Sequence, residues 1–371
     1  MPKTTTNPRA LIVRLGAMGD VVHALPAVAM LRSVLPEARI GWVVEQRWRE
    51  LLCAPGTELA GPRVPGRPLL DELHLVDTRA WRKHPFSASV RHEFLSAIHG
   101  VRRQRYDYAL DFQGAMKSAI LARLSGSAVV IGFREPRESV ARWLYGLTVD
   151  TRAAHVIVQN VIVQNKELVR AALQQMGLSS GIALQPPGSA LLPTDPDSEA
   201  RIHSILEARS LSRSPIAILN PGAGWAAKQW APARYGELAI QLSVRGLPSV
   251  INYGPGEKQL ADEVAAASDG RALALPTTIS EFIALARRAR LFVGGDTGPM
   301  HVAALLGVKT VALFGPTDPA RNGPYWPGTR VLRDPASTTS YSHKRTTDAG
   351  LERLTVERVL TEVDAVLDQP S

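Results

Sequence analysis

Three glycine-bearing segments supply what anion binding and proton transfer need: an acid, a cation and free backbone amides. The first, Arg14-Leu-Gly-Ala-Met-Gly-Asp20, follows an apolar run and opens into a helical pattern. Its backbone can turn tightly, and its helix start offers unpaired N–H groups and a positive dipole end to an anion. Asp20 falls in the first helical turn, where a carboxylate either takes a proton from a hydroxyl nucleophile or caps the helix. The pattern supports both roles. Arg14 stands where a dinucleotide fingerprint needs its first glycine, so a nicotinamide-dependent oxidoreductase fits poorly, although Glu45 after the second strand is placed like a ribose-binding acid.

The second segment is Asn220-Pro-Gly-Ala-Gly-Trp-Ala-Ala-Lys-Gln-Trp230, a loop between a strand and a helix that starts near Pro232. Flexible backbone amides and one lysine, Lys228, can hold a phosphate, the lysine acting as a point charge. A solvated lysine on a surface loop is the competing explanation, and the spacing is not that of a P-loop. The third segment is Gly294-Gly-Asp-Thr-Gly-Pro-Met-His301, with Gly315-Pro-Thr-Asp-Pro319 ending the next strand beside it. Asp296 and Thr297 are positioned to cap a helix, Pro299 suits its first turn, and the exposed amides make a second anion site. His301 has the pattern of a partly buried structural histidine. Two glycine-lined helix starts in one domain suit a nucleotide diphosphate.

Other patterns are weaker. Asp195-Pro-Asp197 has the spacing of a two-acid metal motif but sits in a proline-rich linker, where turn and cap roles explain it. No metal site and no cofactor is expected, and no His-Glu-x-x-His pair occurs.

These loops need strands and helices to hold them. Strand-like runs at Ala10–Arg14, Arg39–Val44, Leu73–Val76, Tyr108–Asp111 and Ala128–Ile131 alternate with helical patterns at Val21–Val34, Val90–Arg103 and Lys117–Leu124. A second set follows at Ile216–Leu219, Ser249–Asn252, Ala272–Leu275, Leu291–Val293 and Thr310–Phe314, with helices at Pro232–Val244, Glu257–Ala267, Ile279–Arg288 and Met300–Leu306. Such alternation predicts an α/β protein of two doubly wound parallel sheets, with ligands outside the carboxyl ends of the strands and a cleft between the domains. The four prolines between Gln185 and Asp197 mark the boundary. The expected division is therefore residues 1–185, residues 186–350, and a tail of 351–371 with amphipathic helical spacing over Leu351–Leu367 that docks on the body. Pro55–Pro68 and Ala336–Gly350 read as mobile loops.

Composition agrees. The 371 residues are 45% hydrophobic and 21% charged, enough for two domains without disulfides. The single cysteine, Cys53, points to a reducing compartment, and the first apolar run, Ala10–Val13, is too short for a signal peptide core or a membrane span, so a soluble cytoplasmic protein is expected. The net charge of +9 is unevenly placed: 24 Lys and Arg face 15 Asp and Glu up to Gln185, against 19 and 19 beyond it. The first domain thus suits an anionic partner, with a solvated basic surface that has no partner as the alternative. Its basic residues lack the interleaved aromatics of a single-strand nucleic-acid binder, and no nucleic acid is expected.

In order along the chain, Leu15-Gly-Ala-Met-Gly-Asp-Val-Val-His-Ala-Leu-Pro26, Trp42-Val-Val-Glu45, Asp111-Phe-Gln-Gly-Ala-Met-Lys-Ser118, the Pro221-Gly-Ala loop with Lys228 and Trp230, and Asp296-Thr-Gly-Pro-Met-His301 with Gly315-Pro-Thr-Asp318 resemble the ADP-heptose:lipopolysaccharide heptosyltransferases of glycosyltransferase family nine. The Met18-Gly-Asp-Val-Val-His23 segment favours the branch that adds the first heptose over the branch that adds the second. The resemblance implies a GT-B fold of two Rossmann-like domains and a metal-independent inverting transfer, the C-terminal domain binding ADP-heptose and the N-terminal domain binding Kdo-lipid A at the cytoplasmic face of the inner membrane. It also implies Asp20 as general base, Lys228 on the donor phosphates, Glu257 at the ribose, and Asp296, Thr297, Gly298 and His301 along the phosphates and heptose. Lys117, Arg134 and Arg137 are the acceptor-binding candidates, each with surface or ion-pair roles open to it. The chain departs from the pattern at Ala231, which separates Trp230 from Pro232, and across Thr57–Ser89.

Overall fold

The computed structural model describes residues 7–151, 160–178, 189–340 and 346–369. They fall into two compact units, the described parts of 1–185 with 190–193, and of 186–189 with 194–371.

The first unit is built on six parallel strands, β1 (Arg9–Val13), β2 (Arg39–Glu45), β3 (Glu72–Val76), β4 (Tyr108–Asp111), β5 (Val129–Phe133) and β6 (Leu147–Val149), in the spatial order β3-β2-β1-β4-β5-β6. The central runs are continuously apolar because helices cover both faces of the sheet, leaving Leu11, Ile12 and Val13 with no exposed surface. The order reverses direction between β1 and β4, where Val13 lies opposite Asp111. The second unit repeats the plan with β7 (Ile216–Asn220), β8 (Ser249–Tyr253), β9 (Ala272–Pro276), β10 (Ala289–Gly295), β11 (Lys309–Phe314) and β12 (Thr329–Arg333), ordered β12-β11-β10-β7-β8-β9. Its reversal falls between β7 and β10, where Gly294 lies opposite Asn220. Crevices at such reversals, beyond the carboxyl ends of the strands, are where doubly wound sheets take ligands.

The α/β class and the two parallel sheets match the sequence expectation, with two strands added. Both β6 and β12 are edge strands, and the alternation of apolar runs did not reveal them.

Two other expectations are corrected. The segment Pro55–Pro68 is tied down. Arg67, almost wholly buried, donates to the carbonyls of Gly61, Pro62 and Asp71 at 2.7–3.0 Å, and Ala54 N–H donates to Gly66 at 2.7 Å. The tail is not one helix. It breaks at Leu354-Thr355 into Ala349–Arg353 and Val356–Leu367, because the Thr355 hydroxyl accepts the Arg358 N–H and starts the second helix. That helix buries Val356, Val359, Val363 and Val366 in the core of the second unit. Residues 185–188 of the proline-rich stretch and 341–345 of the polar loop lie outside the described residues.

Candidate active site

At the first reversal the chain leaves β1 through Arg14 and enters the helix Met18–Val34. Gly16 is required here: a Cβ would lie 2.5 Å from the Trp48 indole nitrogen, and its φ of +153° disfavours side chains. The loop is fastened to the strand across the reversal. Arg14 Nη1 donates to the Phe112 carbonyl, and Leu15 N–H donates to Gln113 Oε1 at 2.9 Å. Asp111 organises that partner loop from a wholly buried position, accepting from the Gln113 and Gly114 N–H groups, the Ser118 hydroxyl and, at 2.7 Å, the Tyr145 hydroxyl. Burial pushes its carboxyl up despite these donors.

Asp20 occupies the third position of the helix and uses its two oxygens differently. Oδ2 accepts the Ala17 N–H at 3.1 Å, half of a capping box, while Oδ1 meets Arg14 Nη2 at 2.7 Å. The side chain is 35% exposed, so solvent can reach it. Burial opposes its charge, but the Arg14 guanidinium, His23 and the Ala17 N–H outweigh this and hold the carboxyl below its ordinary value. Asp20 is thus not the N-cap, which is Ala17, but closes half a capping box from the third helical position while remaining an ionised acceptor. Arg14, which sequence patterning treats only as a missing glycine, is the residue that sets its charge.

Lys117 projects from the helix Met116–Leu124, half exposed, with Nζ 3.8 Å from Glu45 Oε1 and 3.3 Å from the Thr78 hydroxyl. Glu45 is buried at the end of β2 and also accepts from that hydroxyl. Arg134 pairs with Asp150 at 3.3 Å with both side chains half exposed. Arg137 is exposed on the loop after β5, its backbone packed against Gly114. β2, β1, β4 and β5 are consecutive in the sheet, so Glu45, Arg14, Asp111 and the loop carrying Arg134 and Arg137 all follow the carboxyl ends of neighbouring strands.

In the second unit a buried ion pair spans the reversal. Lys228, from the loop after β7, meets Asp296 Oδ2 at 2.7 Å and the Asp296 carbonyl at 3.2 Å, with side chains only 14% and 8% exposed. His301 Nε2 lies 3.2 Å from Asp296 Oδ1. Burial opposes the Asp296 charge, but His301 and Lys228 overcome it and keep this carboxyl ionised far below the usual range. Gly295 permits the approach, since a Cβ there would come within 3.0 Å of the Lys228 carbonyl oxygen.

The expectation that Asp296 and Thr297 cap the following helix is corrected. Neither side chain caps Gly298–Leu305: Asp296 is taken by Lys228 and His301, and the Thr297 hydroxyl points back to the Gly295 carbonyl at 3.3 Å. The helix start therefore keeps its amides open to a ligand. Thr317, after β11, buries a hydroxyl that has no partner among the described residues.

Glu257 sits where the loop after β8 meets the loop after β7. It accepts the Gly254 N–H at 2.9 Å, and its carboxylate lies over Gly222, where a Cβ would be 2.3 Å from Oε1. A polar chain that sequence reasoning missed supports this corner: Thr277 donates to Asn252 at 2.5 Å, and Asn252 donates to Asn220 at 2.7 Å. It links a polar residue at or near the carboxyl end of each of three neighbouring strands, a neighbourhood only the fold reveals. The unit thus gathers Lys228, Glu257, Asp296, Thr297, Gly298 and His301 around the carboxyl ends of β7, β8 and β10. Trp230 is not among them. It is buried, stacks edge to face on Tyr235 at 4.9 Å and donates to the Leu354 carbonyl at 2.9 Å. Asp195 caps the helix Pro196–Ala208 through Ser198.

The profile of glycosyltransferase family 9 (heptosyltransferase) matches residues 94–350. The chain is 27% identical to lipopolysaccharide heptosyltransferase 1 of Pseudomonas aeruginosa over 85% of its own length and 81% of that protein's. It is 28% identical to lipopolysaccharide heptosyltransferase 1 of Escherichia coli K12, over 88% and 94%. The solved structure of the E. coli heptosyltransferase WaaC with ADP shares the fold at a TM-score of 0.76 and 23% identity, covering 96% of this chain and 99% of that one. A profile match of this extent, over a GT-B pair of parallel sheets, shows that the chain belongs to glycosyltransferase family 9, the heptosyltransferases.

Proposed function

We propose that the protein is an inverting, metal-independent heptosyltransferase that moves heptose from ADP-L-glycero-D-manno-heptose to a Kdo hydroxyl of Kdo-lipid A in the assembly of the lipopolysaccharide inner core. The observation that carries the reading is the ionised, solvent-accessible Asp20 in one unit together with the cation-bearing, uncapped helix start in the other.

Asp20 accepts the proton of the attacking hydroxyl, whose oxygen forms a bond to the anomeric carbon while the bond to the diphosphate breaks. Negative charge grows on the departing ADP, and Lys228 and the first-turn amides of Gly298–Leu305 stabilise it. His301 and Asp296 orient Lys228, so their effect on the donor is indirect. Glu257 takes the ribose hydroxyls. Lys117, Arg134 and Arg137 meet the anionic groups of the acceptor, and Lys117 brings only part of its charge, the rest being engaged by Glu45. Such an acceptor is lipid-borne, which places the enzyme at the cytoplasmic face of the inner membrane. The contact with the bilayer in this reading is peripheral, and no helix among the described residues is long and apolar enough to cross a membrane.

The test is mass spectrometry of the lipid after incubation with ADP-heptose and Kdo-lipid A in EDTA, beside the Asp20→Ala variant. One added heptose with the wild type and none with the variant is the expected result. No addition by the wild type, with ADP still bound, would overturn the acceptor assignment, and addition to a heptosylated acceptor alone would place the protein with the enzymes that add the second heptose.

A further inference from the structure

One helical layer of the first unit carries apolar surface that its own core does not use. It comprises the helices Thr78–Lys83, Ala88–Arg103 and Met116–Leu124 and the 3-10 turn Ser139–Leu144. The connections β3 to β4, β4 to β5 and β5 to β6 run across the sheet in the direction opposite to β1 to β2, so right-handed crossovers put all of these on the face away from the helix Met18–Val34. The inner side of this layer is satisfied: Ile98 and Val101 are buried, and Trp81 packs edge to face on Phe94 at 5.1 Å. The layer, with the loop between its first two helices, holds five of the nine large apolar side chains exposed among the described residues, namely Phe86 in that loop and Leu95, Ile120, Val140 and Trp143. Phe86 is 91% exposed, Trp143 79% and Leu95 64%. Apolar groups clustered this openly mark a surface that meets something other than water.

Their neighbours say what that is. Val140 and Trp143 are three residues apart in a turn of three residues per revolution and so share a face. The Arg142 guanidinium lies 5.3 Å from the Trp143 ring centroid. Ile120 is flanked one turn away on each side by exposed Lys117 and Arg123, and Leu95 follows exposed Arg91 by one turn. From Thr78 to Trp143 there are 12 Lys and Arg against 5 Asp and Glu, and one of these acids, Asp111, is wholly buried. Apolar tips ringed by guanidinium groups suit the boundary of an anionic bilayer, where the tips enter the acyl edge, a tryptophan sits at the headgroup level and arginines pair with lipid phosphates. A nucleic acid would answer the charge but leave Phe86, Leu95 and Val140 in water.

We propose that this helical layer is the surface by which the protein docks on anionic lipid. Its purpose, presenting the enzyme to a lipid-borne acceptor, rests on the function proposed above; the lipid binding itself does not.

The experiment is sedimentation with vesicles of phosphatidylethanolamine and phosphatidylglycerol, compared with phosphatidylcholine vesicles, for the wild type and for the triple variant Phe86→Ser, Leu95→Ser, Trp143→Ser. All three side chains are exposed, and unchanged thermal unfolding and ADP binding will show the variant is folded. The wild type is expected to bind the anionic vesicles, more weakly as salt rises, and the variant to lose about tenfold or more in affinity. Equal binding by the variant, no preference of the wild type for anionic vesicles, or a wild-type dimer that the variant dissolves would overturn the proposal. A companion assay separates the two readings. Heptose transfer to a deacylated, water-soluble Kdo acceptor should be the same for both proteins, while transfer to acceptor embedded in vesicles should fall in the variant. If the wild type transfers heptose to neither acceptor, the functional reading fails and the sedimentation result still decides the docking surface.

Discussion

Arg14 grips Asp20 at 2.7 Å with one guanidinium nitrogen while another holds the Phe112 carbonyl, so one side chain joins the candidate base to the strand across the sheet reversal. The position and the charge of the carboxylate therefore have a common source.

Replacing Asp20 with Ala removes the proposed proton acceptor and leaves every residue of the second unit unchanged. Turnover should fall by about two to four orders of magnitude, with ADP affinity by calorimetry unchanged. A variant that turns over at the wild-type rate would exclude Asp20 from the proton transfer.

Arg14→Met removes the cation and leaves the burial. Wild-type Asp20 lies below its ordinary value of 3.8, so it is deprotonated across the neutral range, and in its proposed role activity should decline only when acid titrates it. Without Arg14, burial dominates and the acid limb of the kcat/KM profile should move up by about 1–3 pH units. The ion pair also adds stability that is present above the unfolded carboxyl value and is lost as pH falls through the lower folded one, and the variant should lack that acid dependence in thermal unfolding.

Lys228→Met strips a buried carboxylate of one of its two side-chain partners. Stability should drop by about 2 kcal/mol, the worth of a charged hydrogen bond. At saturating donor, kcat should fall about a hundredfold as the cation proposed to face the leaving diphosphate is lost. Thermal unfolding and steady-state kinetics read the two effects separately.

Gly222→Ala places a methyl where the Glu257 carboxylate now rests, 2.3 Å from Oε1. Glu257 must swing away, and ADP affinity should weaken about tenfold, while kcat at saturating donor is retained. Glu257→Ala, in which no clash can occur, should reproduce the loss, whereas a wild-type ADP affinity in both would remove Glu257 from the nucleotide site.

The ten strands visible from sequence are those whose apolar runs are long enough to stand out. β6 escaped because it is three residues long and only half buried, and β12, Thr329-Arg-Val-Leu-Arg333, because an edge strand with one neighbour leaves Arg330 and Val331 in solvent. Caps were harder still. Thr355 interrupts a run whose apolar spacing alone reads as one helix, and Asp296, acidic just ahead of a helix, satisfies a lysine and a histidine instead. The loops of the candidate site were legible because glycine, a charged residue and a helix start fall together after a strand. Their supports, Asp111, Asn252 and Thr277, were not, because a polar residue at a strand end has no spacing that marks it; only the fold brings Tyr145 to Asp111, or Thr277 to Asn252.

The bond from Trp230 to the Leu354 carbonyl, joined by Arg234 at 2.8 Å, ties the loop that carries Lys228 to the short link between the last two helices. Loop and tail should then open as one cooperative segment. Nucleotide bound at Lys228 would slow amide exchange along Val356–Leu367, a helix whose buried face touches only the core.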